Sequence, residues 1–317
     1  MTNFIPSAPV DNWTNLLWAV GSADIAGPAA WKGPLPRLPW LTKLRRSQLL
    51  DYFSRPVARE QLSVQLERFL DKCSKQKPTA RLGVYFERLW AFAFNHHPDY
   101  RLLHHNLPLR TSDRTLGELD FVVTHLPSDS CEHWEVAVKF YLELPGPYWL
   151  GPGLRDRLDI KLERMVQHQL PLIYCPLVQP LLQGLELHIE QQWALMRGRL
   201  FRSLASLENP LVDNSRQSLE ESRTDYWWAD LDSFSNHFDA LRHNIRWLHL
   251  SKPAWLAPLQ QGYECGCSFK QLTQVLEKET VDRPLCIAAL DHHGEINRGF
   301  IVPNNWYQAA MATIQKL

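Results

Sequence analysis

Two periodicities alternate along the chain. Over the first eighty residues apolar positions fall three and four apart, as one face of a helix requires. Leu16, Leu17 and Val20 predict a short first helix, and Leu41–Phe53 and Val57–Lys75 predict two more, the last with Leu62, Leu66, Phe69 and Leu70 on its stripe. A Gly/Pro-rich stretch from Gly27 to Pro39 separates them, with Trp31 and Trp40 expected to pack on apolar surface. Lys77-Pro78 ends this unit. The next helix is predicted from about Thr79 to His96. Leu82, Tyr85, Phe86, Leu89 and Ala93 form one stripe, and Val84, Ala91 and Phe94 extend it almost all round, which places this helix at the centre of the fold.

Beyond His96 the pattern changes. Tyr100–Leu109, Gly117–Thr124 and His133–Leu142 are nearly continuous in β-branched, aromatic and other apolar residues and predict strands. Turns at Leu144-Pro145-Gly146-Pro147 and Leu150–Gly153 lead to a helix over about Leu154–Gln169, with Leu158, Leu162, Met165 and Val166 facing inward. A further strand is expected within Leu185–Leu200. The polar stretch Ser206–Thr224 reads as the main break. After it come Trp227, Trp228, Trp247 and Trp255, and a hairpin over Leu285–Pro303 turning near His293-Gly294. The expected class is α/β: a helical N-terminal extension (1–78), a central core of small mixed sheet flanked by helices (79–205), and a Trp-rich α+β extension (206–317).

Composition narrows the partners. The 34 Lys+Arg balance 34 Asp+Glu, so the net charge is zero and polyanion binding would depend on local clustering. The N-terminus carries no basic leader before its short apolar run, and no apolar stretch reaches the ~18 residues of a membrane span. Six scattered cysteines follow no framework spacing, so reduced thiols and a cytoplasmic location are expected. Cys265 and Cys267 with Cys286 lack a zinc-site spacing, and the pairs His96-His97, His104-His105 and His292-His293 have no HExxH helix around them.

The candidate chemistry lies in charges that interrupt apolar segments. Glu87 sits in the almost wholly apolar helix, Asp120 in GELDFVVT, and Glu135 and Lys139 in HWEVAVKFYL. A charge in such a segment must be paired, ligate a metal or face water. Three carboxylates converging on one divalent ion satisfy one another, and hard oxygen ligands favour Mg²⁺ or Mn²⁺. Glu135, Ala137 and Lys139 share one strand face. At ~3.3 Å rise per residue the first and last stand ~13 Å apart, and their long side chains can lean inward over the alanine. In the following helix Arg157, Lys161, Arg164 and His168 fall on one basic stripe, with Asp156, Asp159, Glu163 and Gln167 on another. Like charges stacked this way cost ~0.2–0.5 kcal/mol per pair, which a phosphate in front of the stripe would offset. Basic side chains snorkelling past the apolar face are the plain alternative.

The order helix-borne glutamate, strand aspartate, strand acid with lysine, then helix resembles the PD-(D/E)XK phosphodiesterase superfamily, the restriction-endonuclease-like fold. The runs GVYFERLWAF, GELDFVV, HWEVAVKFYL, RWLHLSKPAWLAP and EINRGFIVPNNW look like an uncharacterised bacterial family within it. The resemblance implies a Mg²⁺-dependent nuclease cleaving DNA or RNA. Glu87, Asp120 and Glu135 would be metal ligands, Lys139 would act with Asp120 and Glu135 in catalysis, and Arg157, Lys161 and Arg164 would hold substrate phosphates. The superfamily places its second acid two residues before the lysine, where this chain has Ala137; Glu135 stands two further back. That departure keeps an alternative open: an inactive relative that binds nucleic acid or protein.

Overall fold

The β-rich runs pair as their composition demands, and the strands they form assemble with those of the C-terminal third. The computed structural model describes residues 5–25, 38–207, 226–238, 244–278 and 281–315. Trp31 and nearly all of the expected break at 206–224 lie outside these residues.

Four helices come first: α1 (Asn12–Gly21), α2 (Lys43–Phe53), α3 (Pro56–Gln76) and α4 (Leu82–His96). Asp11 caps α1 by accepting from the backbone N–H groups of Trp13 and Thr14, and Thr42 caps α2 through the Arg45 N–H. Helix α4 is buried along most of its length, as its all-round apolar pattern predicts. Its buried Arg88 donates to the carbonyls of Cys73 and Lys77, satisfying the C-terminal end of α3.

Strands β1 (Tyr100–Arg110), β2 (Thr115–His125) and β3 (Ser130–Glu143) form an antiparallel meander. The short β4 (Trp149–Leu150) folds back on the end of β3. Helix α5 (Leu158–Arg164) and the short α6 (Gln179–Gly184) then carry the chain to β5 (Gln191–Ser203), which runs parallel to β3 over its full upper length. The sheet continues through β6 (Tyr226–Ala229), β9 (Gly294–Ile301), β8 (Leu285–Asp291) and β7 (Arg246–His249), giving nine strands among the described residues. Helices α7 (Leu231–Phe238), α8 (Phe269–Lys278) and α9 (Trp306–Gln315) complete this part. The β8–β9 hairpin turns at His292-His293, as the sequence pattern predicts.

Alternation along β3 sends its residues to opposite faces. Trp134, Val136, Phe140 and Leu142 join the large core with α1, α2, α3 and α4. Ala137 and Tyr141 join a second core with Leu158, Leu162 and Met165 of the α5 side. Trp40 packs at the edge of that second core, and the segments around Asp24–Ile25 and Pro39–Leu41 run along the otherwise free edge of β5. The large core includes residues from all three stretches of sequence, from Ala8 to Ala310.

The helix expected over Leu154–Gln169 differs in three ways. Leu154 takes φ +60 in a tight turn closed by its N–H on the Gly151 carbonyl, so the helix begins only at Leu158. From Met165 to Gln169 the backbone widens to π-helical geometry, then tightens to a 3₁₀ turn at Leu170–Tyr174. Pro171 explains the change, because it has no N–H to continue the ladder and its ring crowds the carbonyl one turn back. The predicted stripe therefore loses its phase: Arg157 precedes the helix and His168 falls outside it. The strand expected within Leu185–Leu200 is shifted to Gln191–Ser203, and Leu187 and Ile189 pack from the preceding loop.

Candidate active site

The site forms where two strands part. The β2–β3 ladder runs from His125/Ser130 to Phe121/Trp134 and stops there. Continuing that register would set Asp120 opposite Glu135. The Asp120 carboxylate instead accepts the Val136 N–H at 3.0 Å, satisfying a backbone donor beside the end of the ladder. Asp120 and Glu135 thus meet at a fork in the sheet, with their carboxyl groups in contact.

This contact has an electrostatic signature. Burial lifts both carboxyl groups above the ordinary range. Their mutual contact couples the two groups, so the pair holds a proton more readily than either carboxyl would alone. Glu135 is 1% exposed, and its Oε1 accepts from Gln169 Nε2. Its Oε2 has no donor; the nearest is His133 Nε2 at 3.9 Å. Burial depresses the His133 ring to about 4, and Gln192 Nε2 lies 2.9 Å from its Nδ1, so the ring is neutral with its proton on Nε2.

Glu87 reaches toward the fork from α4. It is half-buried, Asn106 Nδ2 lies 3.4 Å from its Oε2, and burial followed by the charge of Asp120 lifts it to about 6. One cation faces the acids directly: Lys161 of α5, whose Nζ is 3.8 Å from Glu135 Oε1 and donates to Gln169 Oε1 at 2.7 Å. Burial lowers its pKa and the Glu135 charge opposes that fall. With Glu87, Asp120 and Glu135 all ionised, one ammonium leaves two negative charges uncompensated.

Beside the acids lies a cavity of about 360 Å³ lined by Lys139, Arg155, Arg157, Lys161 and Arg164, with Asp156, Gln169, Leu150, Leu154, Ile160 and Thr313. Lys139 Nζ donates to Asp156 Oδ2 at 2.5 Å, and Arg157 grips Asp159 through Nε (3.0 Å) and Nη2 while stacking on Tyr148. The bond to Asp159 holds the Arg157 guanidinium above its usual pKa. Lys161 and Gln169 belong to both places: they line the cavity and touch Glu135.

A family profile described as "Domain of unknown function (DUF1853)" matches residues 14–302. The chain belongs to that family. No curated protein and no solved structure matches it significantly.

In this DUF1853 chain the expected site residues fall into two groups. Asp120 and Glu135 are brought together, with Glu87 close enough to feel their charge. Lys139 is not brought to them. It pairs with Asp156, and the lysine that meets the acids is Lys161, expected from sequence only to hold phosphate. Arg157 and Arg164, expected from sequence to hold phosphate, line the cavity. Sequence reasoning missed Gln169, which bridges Glu135 and Lys161, and it missed the Lys139 partner Asp156. The sequence shows Asp156 only as part of a polar helix stripe, and Gln169 has no periodic signal: it is delivered by the π-helical turn, and such turns recur at functional sites.

The donor set suits a hard divalent cation in its chemistry, since Asp120 and Glu135 are touching carboxyl groups with raised pKa and Glu135 Oε2 lacks a donor. Among the described residues no three or more His, Cys, Asp or Glu side chains gather as a ligand group. The direct protein ligands would therefore be Asp120 and Glu135, with Glu87 contributing charge from further out. Among the described residues no helix is long and apolar enough to cross a membrane.

Proposed function

We propose that this protein is a divalent-cation-dependent phosphodiesterase acting on nucleic acid, Mg²⁺ or Mn²⁺ being the matching ions. One observation carries the reading: a carboxyl pair from adjacent strands, Glu135 buried and Asp120 half-buried, lies behind Lys161 and Gln169, which touch Glu135 and line a cavity rich in cations. The element order α4–β1–β2–β3–α5–β5, antiparallel through β3 and then parallel at β5, supports a restriction-endonuclease-like core. A bound cation would supply Lewis-acid stabilisation of a phosphoryl oxygen. The chain does the rest. Asp120 and Glu135 hold the centre, and Gln169 fixes the Glu135 carboxyl and the Lys161 ammonium in one geometry. Lys161 is positioned to orient an attacking water and to offset charge on the phosphate. Lys139, Arg157 and Arg164 face the substrate from the cavity wall.

The test is cleavage of labelled single and double strands of DNA and RNA with and without Mg²⁺ or Mn²⁺. Asp120→Asn and Glu135→Gln should abolish divalent-dependent cleavage while near-UV circular dichroism stays native. Lys161→Met should cost more activity than Lys139→Met. Undiminished cleavage by Asp120→Asn would refute the assignment. A second reading, an inactive relative that binds nucleic acid, draws support from the Lys139–Asp156 pair, which neutralises the strand lysine. Stoichiometric divalent binding that vanishes in Asp120→Asn favours the enzyme; nucleic-acid binding indifferent to divalent ions favours the binder.

A further inference from the structure

We infer that the cavity beside the acid pair is a pocket for one phosphorylated nucleotide at the end of a single strand. The inference rests on the proposed phosphodiesterase site and names the class of substrate that site would take.

Charge comes first. The whole chain has zero net charge, yet five cationic side chains and one carboxylate line this cavity. Local concentration of this kind creates a strong positive potential inside low-dielectric walls. Lys139, Arg157 and Lys161 have carboxylate partners in Asp156, Asp159 and Glu135, but the cationic capacity is not fully consumed among the described residues. Among the described residues Arg155 and Arg164 meet no carboxylate, and Arg157 Nη1 is buried without an acceptor although Nε and Nη2 bind Asp159. A buried guanidinium nitrogen left bare is costly, and a phosphate oxygen is its natural acceptor.

Size and lining then narrow the ligand. About 360 Å³ lies at the small end of the ~300–1,000 Å³ range of small-ligand sites, enough for a nucleotide unit and far too small for a duplex. Leu150, Leu154 and the exposed Ile160 give the same cavity an apolar wall against which a sugar or base can rest. Leu154 is held at φ +60, a conformation that bulky residues avoid and that recurs at ligand clamps. Thr313 of α9 contributes to the lining, and Trp306 Nε1 at the other end of that helix donates to the Pro152 carbonyl at 2.8 Å. The C-terminal helix is therefore tied to the loop that forms the pocket.

Adjacency makes the pocket relevant to the reaction. Because Lys161 and Gln169 touch Glu135 and also line the cavity, a terminal phosphate bound there would hold the next phosphodiester linkage near the fork. A phosphorylated end would be selected, with the 5′ or 3′ phosphate as its possible source.

The experiment uses the full-length protein in EDTA, so that binding is read without turnover. Short single strands bearing a 5′ phosphate, a 3′ phosphate or hydroxyl ends only are compared with a circular single strand and a blunt duplex by fluorescence anisotropy. Adenosine 5′-monophosphate, adenosine 3′-monophosphate and adenosine serve as competitors. Strands with one of the two phosphorylated ends should bind at least tenfold more tightly than hydroxyl-ended or circular strands, and the matching monophosphate should displace them while adenosine does not. Arg155→Ala/Arg164→Ala, at exposed positions outside the acid pair, should remove that preference. Equal binding of circular and phosphorylated linear strands, or a preference that survives the double variant, would overturn the inference. Divalent-dependent cleavage without end preference sinks the pocket alone. End-selective binding without any cleavage sinks the enzyme reading and leaves the pocket standing.

Discussion

Replacing Glu87 by Gln should stabilise the protein at pH 8, against the usual cost of altering a half-buried residue. The Glu87 carboxyl is lifted from its ordinary 4.5 to about 6 by burial and then by Asp120, with Glu118 adding and Asn106 and Lys77 opposing. A folded-state pKa above the unfolded one means that folding favours the protonated acid. The stability associated with this group is complete below about pH 4.5 and is lost as pH rises through about 6. At about 1.4 kcal/mol per pKa unit the difference approaches about 2 kcal/mol. Solvent around a half-exposed side chain reduces this to about 1 kcal/mol. Gln has the same shape, cannot ionise and retains an oxygen for Asn106 Nδ2. Glu87→Gln should therefore raise the melting temperature by about 2 °C at pH 8 in EDTA, with the gain fading toward pH 4.5. The assay is urea or thermal unfolding of both proteins at several pH values. Lower stability of the variant at pH 8, or the same gain at both pH extremes, would refute the charge argument. Saturating Mg²⁺ at pH 8 should shrink the difference, because a bound cation already offsets the acids.

Two further predictions test how the site is built. Gln169→Leu removes the donor to Glu135 and the acceptor of Lys161, leaving buried polar groups unmatched, and should cost about 1–3 kcal/mol in urea unfolding. Gly198→Ala should block folding: Gly198 has φ +148, and a Cβ there would lie 1.6 Å from the Lys139 carbonyl oxygen, so the loss should exceed about 4 kcal/mol and appear as insoluble expression.

The fold and the site were legible in the sequence to different depths. Segment types were legible because burial imposes period: the all-round apolar run of α4, the three strands that follow it and the β8–β9 hairpin all lie where their patterns put them. The boundaries of α5 were not, because Leu154 keeps helical periodicity while its backbone takes a positive φ, and because the effect of Pro171 on the turn before it leaves no trace in an apolar count. The acids were legible as charges inside apolar strands. Their partners were not, since a pattern along one strand says which residues share a face and nothing about where two strands separate. The ladder ends after Phe121 and Trp134, and that local break, absent from the spacing of Glu135, Ala137 and Lys139, decides which groups meet. Past the break, Glu135 turns to Asp120 and Gln169 while Lys139 turns to Asp156. Position 137, where the superfamily that the sequence resembles carries an acid, is alanine in this chain. Lys161 supplies the ammonium from helix α5, whose Leu158 and Leu162 pack in one core with Ala137. On this argument Ala137→Lys would force a second ammonium against Leu158 and Leu162, and the strand position and the helix position cannot both be filled.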